Sequence, residues 1–207
     1  MSRDNILHRV RTALGRSPGE PPAAPPPVRL RIPEVALEAR ITSLLSRVET
    51  LAGKPYRTTD PLAVVADLIA NKTAVASNSP FLVQTGITSL PNVRTGITDR
   101  DELRALCATV DVGITSADFA LADTGTLVML SSPREARLIS LLPPAHIAIV
   151  PRDCILTGLD ELFTVVPNPA EITSSMVLIT GPSRTADIEQ ILVRGVHGPG
   201  QIAVIVV

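Results

Sequence analysis

Two short segments carry the residues best suited to chemistry, Ala122-Asp123-Thr124-Gly125-Thr126 and Gly181-Pro182-Ser183-Arg184-Thr185-Ala186-Asp187-Ile188-Glu189. Each sets small residues, hydroxyls and carboxylates beside an apolar run. Gly125 frees the backbone for close approach to a ligand, and Thr124 and Thr126 can donate O–H to an anion. Asp and Gly are also ordinary turn residues, so a plain turn before a strand accounts for the same spacing. In the second segment Pro182 and Ser183 read as the entry and cap of a helix over Ser183–Val193. Its first N–H groups, with Gly181, Thr185 and Arg184, are suited to a carboxylate or phosphate. Asp187 and Glu189 favour such a helix start whatever it binds.

Two histidines extend the list. His146 follows Pro143-Pro144 and opens an apolar strand, and His197 sits in a Gly-rich turn before the last strand. Either can act as general acid or base near neutral pH, and either can equally be a hydrogen-bonded structural residue. GxxxxGK[ST], GxGxxG and GxSxG are absent, which removes the usual nucleotide and serine-nucleophile readings. Cys107 and Cys154 lie far apart and form no CxxC or metal-ligand spacing. They read as free thiols.

The elements that must position these residues follow from apolar patterning. Residues 3–15 read as an amphipathic helix with Ile6, Leu7, Val10 and Leu14 on one face. A Pro-rich run follows, so the chain divides into a helix over 1–16, a linker over 17–31 and a main domain over 32–207. Helices are expected over Ile32–Leu51, Pro61–Ile69, Asp101–Thr109, Ser116–Leu121 and Arg134–Leu142. Short Val/Ile-rich strands are expected at Thr73–Ala76, Val110–Ile114, Thr126–Leu130, Ile147–Val150, Met176–Thr180 and Ile202–Val207. The alternation predicts an α/β fold with a mainly parallel sheet flanked by helices. Ligands bind such sheets at the carboxyl ends of the strands. That places the loops after Ile114, Leu130 and Thr180 at the site, and leaves the Asp123–Thr126 loop, which precedes a strand, in question.

Composition narrows the function. Hydrophobic residues make up 45% of 207, aromatics 2%, and the net charge is −1. So weak a field and so few rings argue against nucleic acid as a partner. No stretch is long and apolar enough to span a membrane. The basic N-terminus has no apolar signal core behind it, so the expected location is the cytoplasm.

The strings Ala122-Asp123-Thr124-Gly125-Thr126-Leu127, Ser140-Leu141-Leu142-Pro143-Pro144-Ala145-His146 and Gly181–Glu189, with Gly195-Val196-His197-Gly198-Pro199, resemble the LUD domain family, in its lactate-utilisation type C branch. The likeness runs from about residue 35 onward and also touches the first residues of the chain. It implies a fold akin to the ribose-phosphate isomerase, CoA-transferase and 5-formyltetrahydrofolate cyclo-ligase group. It also implies a part in oxidising L-lactate to pyruvate, as an accessory or substrate-handling subunit. The implied partners are an iron–sulfur LUD protein and a cysteine-rich oxidoreductase subunit, which would hold the iron–sulfur clusters. Two cysteines cannot supply a four-cysteine cluster site here, so no cofactor is expected in this chain. The resemblance brings no established catalytic residue. A stand-alone enzyme on a phosphorylated or folate-type substrate and a non-catalytic assembly module are the rival readings.

Overall fold

The Val/Ile runs form strands because each is apolar on both faces, and only a sheet covered on both sides can bury such a run. The computed structural model describes residues 2–17, 32–186 and 192–207, with backbone alone at 185–186 and 192–194. It divides into two units, 1–31 and 32–207. In the first, α1 (Arg3–Ala13) is capped by Ser2, whose hydroxyl accepts from the Asn5 N–H, and none of its residues is buried. The Pro-rich segment lies outside the described residues beyond Ser17.

In the second unit α2 (Leu37–Thr50) comes first, then β1 (Lys54–Arg57), α3 (Pro61–Leu68), β2 (Ala74–Ala76), α4 (Pro80–Gln84) and β3 (Val93–Arg94). Next come α5 (Arg100–Cys107), β4 (Val112–Ser116), β5 (Phe119–Leu121), β6 (Thr126–Leu130), α6 (Arg137–Leu141) and β7 (Ala145–Val150). The chain continues through β8 (Ile155–Leu156), α7 (Leu159–Val165), α8 (Pro169–Ile172), β9 (Met176–Ile179), β10 (Arg184–Ala186), β11 (Leu192–Arg194) and β12 (Gln201–Val206).

Six strands pair in the order β1-β12-β7-β4-β2-β3, all parallel. The protein is therefore α/β with a mainly parallel sheet flanked by helices. Alternate residues of the central strands feed two cores. Ile147, Ile149, Ala203 and Ile205 pack with Val65 and Ile69 at α3 and Leu82 of α4. Ala148, Val150, Ile202 and Val204 pack with Ile41, Leu44 and Val48 of α2 and with Leu127 and Met129 of β6. Asp60 caps α3 by accepting from the Ala63 N–H, and Pro61 stands at its first turn.

Three sequence expectations change. The strands over Thr126–Leu130 and Met176–Thr180 leave the parallel sheet for a second one, β8-β5-β6-β9, in which β6 runs antiparallel to β5 and β9. The expected helix over Ser116–Leu121 is instead the end of β4 followed by β5. The connection from β5 to β6 is too short for a parallel crossover, so the chain returns as a hairpin. The expected helix over Ser183–Val193 is absent where the chain is described. Arg184–Ala186 pairs antiparallel with Leu192–Arg194, so Ser183 caps no helix. Pairing across the hairpin overrides the local capping signal.

Candidate functional site

From β2 the chain steps outward to β3, whereas from β4 it continues the other way to β7. The order therefore reverses between β2 and β4, and ligands of open α/β sheets bind at the carboxyl ends beside such a reversal. Ser77 follows β2 there, and Ser116 ends β4. Between them sits Glu135, 8% exposed, from the loop that leads into α6. Its Oε1 accepts the Ser77 hydroxyl at 2.9 Å and the Ser116 N–H at 2.9 Å. Its Oε2 is buried and has no hydrogen-bond partner among the described residues.

The loop holds this carboxyl in place through its own turn. The Ser132 hydroxyl accepts from the N–H groups of Arg134 and Glu135, and the Ser132 and Glu135 backbones exchange hydrogen bonds at 3.1 Å. Asn78, next to Ser77, receives the Gly96 N–H on Oδ1 and gives its own N–H to the Arg134 carbonyl. Burial pushes the Glu135 carboxyl up to about 7. The Ser77 and Ser116 donors oppose that rise, and the charge of Asp118 adds to it.

Asp118 follows β4 and accepts the Leu130 N–H at 2.6 Å, and burial raises its carboxyl too. Cys154 borders this cluster. Its thiol is raised by burial and then by the charges of Asp118 and Asp153. A carboxyl that exchanges its proton near neutral pH beside strand-end hydroxyls and N–H groups can donate to, or take a proton from, a bound oxygen.

The residues singled out from sequence gather elsewhere. The Thr126 hydroxyl bonds both Thr124 Oγ1 at 2.8 Å and Thr180 Oγ1 at 2.9 Å, joining the Asp123–Thr126 turn to the approach to Gly181. Gly125 has a left-handed φ of 71°, and a Cβ there would stand 2.7 Å from Cβ of Arg47 on α2. Asp123 lines a cavity of ≈ 290 Å³ with Thr157, Gly158, Asp160 and Glu161. Arg184 gives its guanidinium to the Leu51 carbonyl, where α2 ends. Ser183 receives the His197 N–H on its hydroxyl and the Gly195 N–H on its carbonyl. Gly200 ties that same loop to the Pro144 carbonyl, ahead of β7. The Gly181–Arg184 and His197 segments therefore meet at the amino ends of the parallel strands. Thr185 pairs with Val193 in the hairpin, and Asp187 lies outside the described residues.

His146 stands apart from both groups. It is 1% exposed, with Nε2 2.7 Å from the Thr115 hydroxyl and Nδ1 without a hydrogen-bond partner among the described residues, and burial pulls its pKa down to about 4. The ring is thus neutral across the physiological range.

Of the three loops expected at the site, those after Ile114 and Leu130 meet around Glu135, and the one after Thr180 lies at the other end. Glu135 and Ser77 were not singled out from sequence. Glu135 falls at the start of the helix expected over Arg134–Leu142, which begins only at Arg137, just after the loop that follows Leu130, and Ser77 directly follows a strand. Those positions were the only signals. Among the described residues no group of three or more His, Cys, Asp or Glu is placed to hold a metal, and no helix is long and apolar enough to cross a membrane.

Comparison with known proteins agrees with this architecture. The LUD domain signature matches residues 47–207. Lactate utilization protein C 1 of Bacillus mycoides is 30% identical over all of this chain and 97% of its own length. Lactate utilization protein C of Halalkalibacterium halodurans is 37% identical over 66% of the chain and 63% of that protein. The protein of that name from Bacillus subtilis is 43% identical over 47% of the chain and 42% of its own length. The latter two alignments thus span less than two thirds of the relatives they match. A DUF162 family protein from Deinococcus radiodurans shares the fold, with a TM-score of 0.61 at 18% identity over 84% of this chain and 99% of that one. The match over 47–207 and the whole-length relative at 30% identity show one thing: the chain belongs to the LUD domain family.

Proposed function

We propose that this chain is an accessory or substrate-handling subunit of a cytoplasmic L-lactate-utilisation system. It would work beside an iron–sulfur LUD protein and a cysteine-rich oxidoreductase subunit. The observation that carries the reading is the relationship, over the whole chain, to a protein named Lactate utilization protein C 1. Oxidation of lactate to pyruvate releases two electrons and two protons. Clusters held by the partners would take up the electrons, since the two cysteines here are too few for a four-thiolate site. The protons need a group that titrates near neutrality, and Glu135 at the β2/β4 reversal has that property.

In this reading the substrate sits at the carboxyl edge of the sheet. The Asp123–Thr126 and Gly181–Arg184 segments, with His197, anchor the end of α2 and the loop before β12. His146 serves as a neutral partner of Thr115 inside the sheet. Deleting the gene in the source organism tests the proposal. Growth on L-lactate as sole carbon source is expected to fail, growth on pyruvate to persist, and a plasmid copy to restore the first. A deletion strain that grows normally on L-lactate overturns the reading.

One observation favours a second reading, that of an assembly module. In α1, Ile6 and Val10 are about half exposed, and Leu14 directly after it more so, whereas so short a helix is marginal without packing. Removal of residues 2–31 is expected to abolish co-purification with the iron–sulfur partner if α1 docks there. Unchanged association counts against it.

A further inference from the structure

The carboxyl edge of the parallel sheet carries a second feature, on the β1-β12-β7 side. Arg57 ends β1, and Arg152 follows β7 by two residues, so the two arginines flank the end of β12 from its two neighbouring strands. They line an open cavity of ≈ 510 Å³ together with Thr58, Thr59, Ile41 and Val206. Ile41 and Val206 close the floor of the cavity and are almost fully covered, and the partly exposed Val207 is the apolar side chain that faces it beside the cationic and hydroxyl-bearing rim.

A carboxylate of the chain itself already sits between the guanidiniums. Glu38, in the first turn of α2, accepts Arg57 Nη2 on both oxygens, at 3.0 and 2.8 Å, and Arg152 Nη2 on Oε1 at 3.1 Å. Among the described residues neither arginine has another ion-pair partner, and Val207 at the end of the sequence borders the same cavity. All three side chains are about half exposed. Ion pairs so exposed are weak in general, so an entering anion meets little resistance from Glu38.

We propose that Arg57 and Arg152 form a binding site for a small organic carboxylate, which displaces the Glu38 carboxylate from between them. The seated glutamate shows that both guanidiniums reach one carboxylate. Val207 beside the pair gives an alkyl body an apolar contact that an inorganic anion would not use. Arginine suits the role because its planar fork matches a carboxylate in geometry as well as charge. The site is argued from the cavity and Glu38, and it does not require that the acid be lactate.

The test is calorimetric titration of the full-length chain with L-lactate, pyruvate, acetate and inorganic phosphate. Glu38→Gln removes the internal competitor and is expected to tighten carboxylate binding by about threefold. Arg57→Gln with Arg152→Gln is expected to weaken it by about tenfold or more. Arg57→Lys with Arg152→Lys keeps the charge but loses the fork, and is expected to fall between, which guards against loss of fold in the neutral pair. Equal affinity in wild type, Glu38→Gln and both arginine pairs overturns the site, as does tighter binding of phosphate than of every acid. Carboxylate binding that responds to Glu38→Gln, in a protein whose deletion leaves growth on L-lactate intact, upholds the site and removes the lactate reading. A growth defect without any response to Glu38→Gln removes the site and leaves that reading standing.

Discussion

The Ser77 hydroxyl lies 2.9 Å from Oε1 of Glu135, joining residues 58 apart in sequence at the reversal of strand order. That donor stabilises the ionised carboxylate, so removing it makes ionisation harder. In Ser77→Ala the titration of Glu135 is expected to move upward from about 7. Carboxyl ¹³C shifts followed against pH measure it directly. An unchanged midpoint would mean that the hydroxyl does not reach the carboxyl in solution.

Glu135 and His146 impose opposite pH dependences on stability. Glu135 is raised from its ordinary 4.5 to about 7 by burial. Between those values the folded chain keeps a proton that the unfolded chain has released, so this contribution to stability is full below 4.5 and lost as pH rises through 7. Its full span is on the order of 3 kcal/mol. His146 is lowered from 6.5 to about 4 by burial. Between those values the unfolded chain binds a proton that the folded ring refuses, so its contribution is full above 6.5 and lost as pH falls through 4. Across pH 4.5–6.5 the two slopes oppose each other. Urea unfolding in that window is expected to give a stability that rises with pH in Glu135→Gln and falls with pH in His146→Gln. The same slope in both variants would refute the assignment.

The glycine of the Asp123–Thr126 turn is expected to be structural. A side chain at Gly125 adopts a left-handed φ and its Cβ stands 2.7 Å from that of Arg47. Gly125→Ala is therefore expected to lose about 1–3 kcal/mol of stability, read as a lower thermal midpoint. A ligand contact alone would instead leave the ligand-free midpoint unchanged.

This division between what the sequence does and does not disclose has physical causes. The strands β6, β7 and β12 were legible because each is an uninterrupted apolar run. The start of α3 was legible because Asp60 and Pro61 cap it locally. The second sheet was not, because Phe119–Leu121 is a strand only through its pairing with Val128, Leu127 and Thr126. The Ser183 segment carries a helix-start pattern that cross-strand pairing defeats. Two of the three loops around the site followed from the carboxyl-end rule. Glu135 itself did not, since a lone acid in a Ser/Pro turn shows its burial only once Ser77 and Ser116 close over it.

The two thiols are expected to separate cleanly. Cys107 is fully buried among Leu103, Val110 and Ile139, and burial pushes its thiol up to about 11. Cys154 is partly exposed, though raised by burial and by Asp118 and Asp153. Reaction with a disulfide reagent at pH 8 is expected to titrate one thiol slowly in the native protein and both after unfolding. Cys154→Ser should abolish the native reaction. A native protein that releases two equivalents at similar rates would contradict the burial of Cys107.

Thr126 decides between an architectural and a ligand-facing role for the turn that precedes β6. Its side chain is 4% exposed and bonded to Thr124 and Thr180. Thr126→Val keeps the shape and strips the hydroxyl, leaving Thr180 without its partner. That is expected to lower stability by about 1–2 kcal/mol. Replacing both partners removes the stranded hydroxyl as well, so Thr126→Val with Thr180→Val is expected to lose less than the sum of the single changes. If the turn serves to anchor α2, affinity for L-lactate and pyruvate stays at the wild-type value in all three variants, because the Glu135 cluster and the Arg57–Arg152 cavity both lie at the other end of the strands. A tenfold loss of affinity in Thr126→Val, with the fold intact by circular dichroism, would move the substrate to the amino end, among Asp123, Thr124 and Gly181.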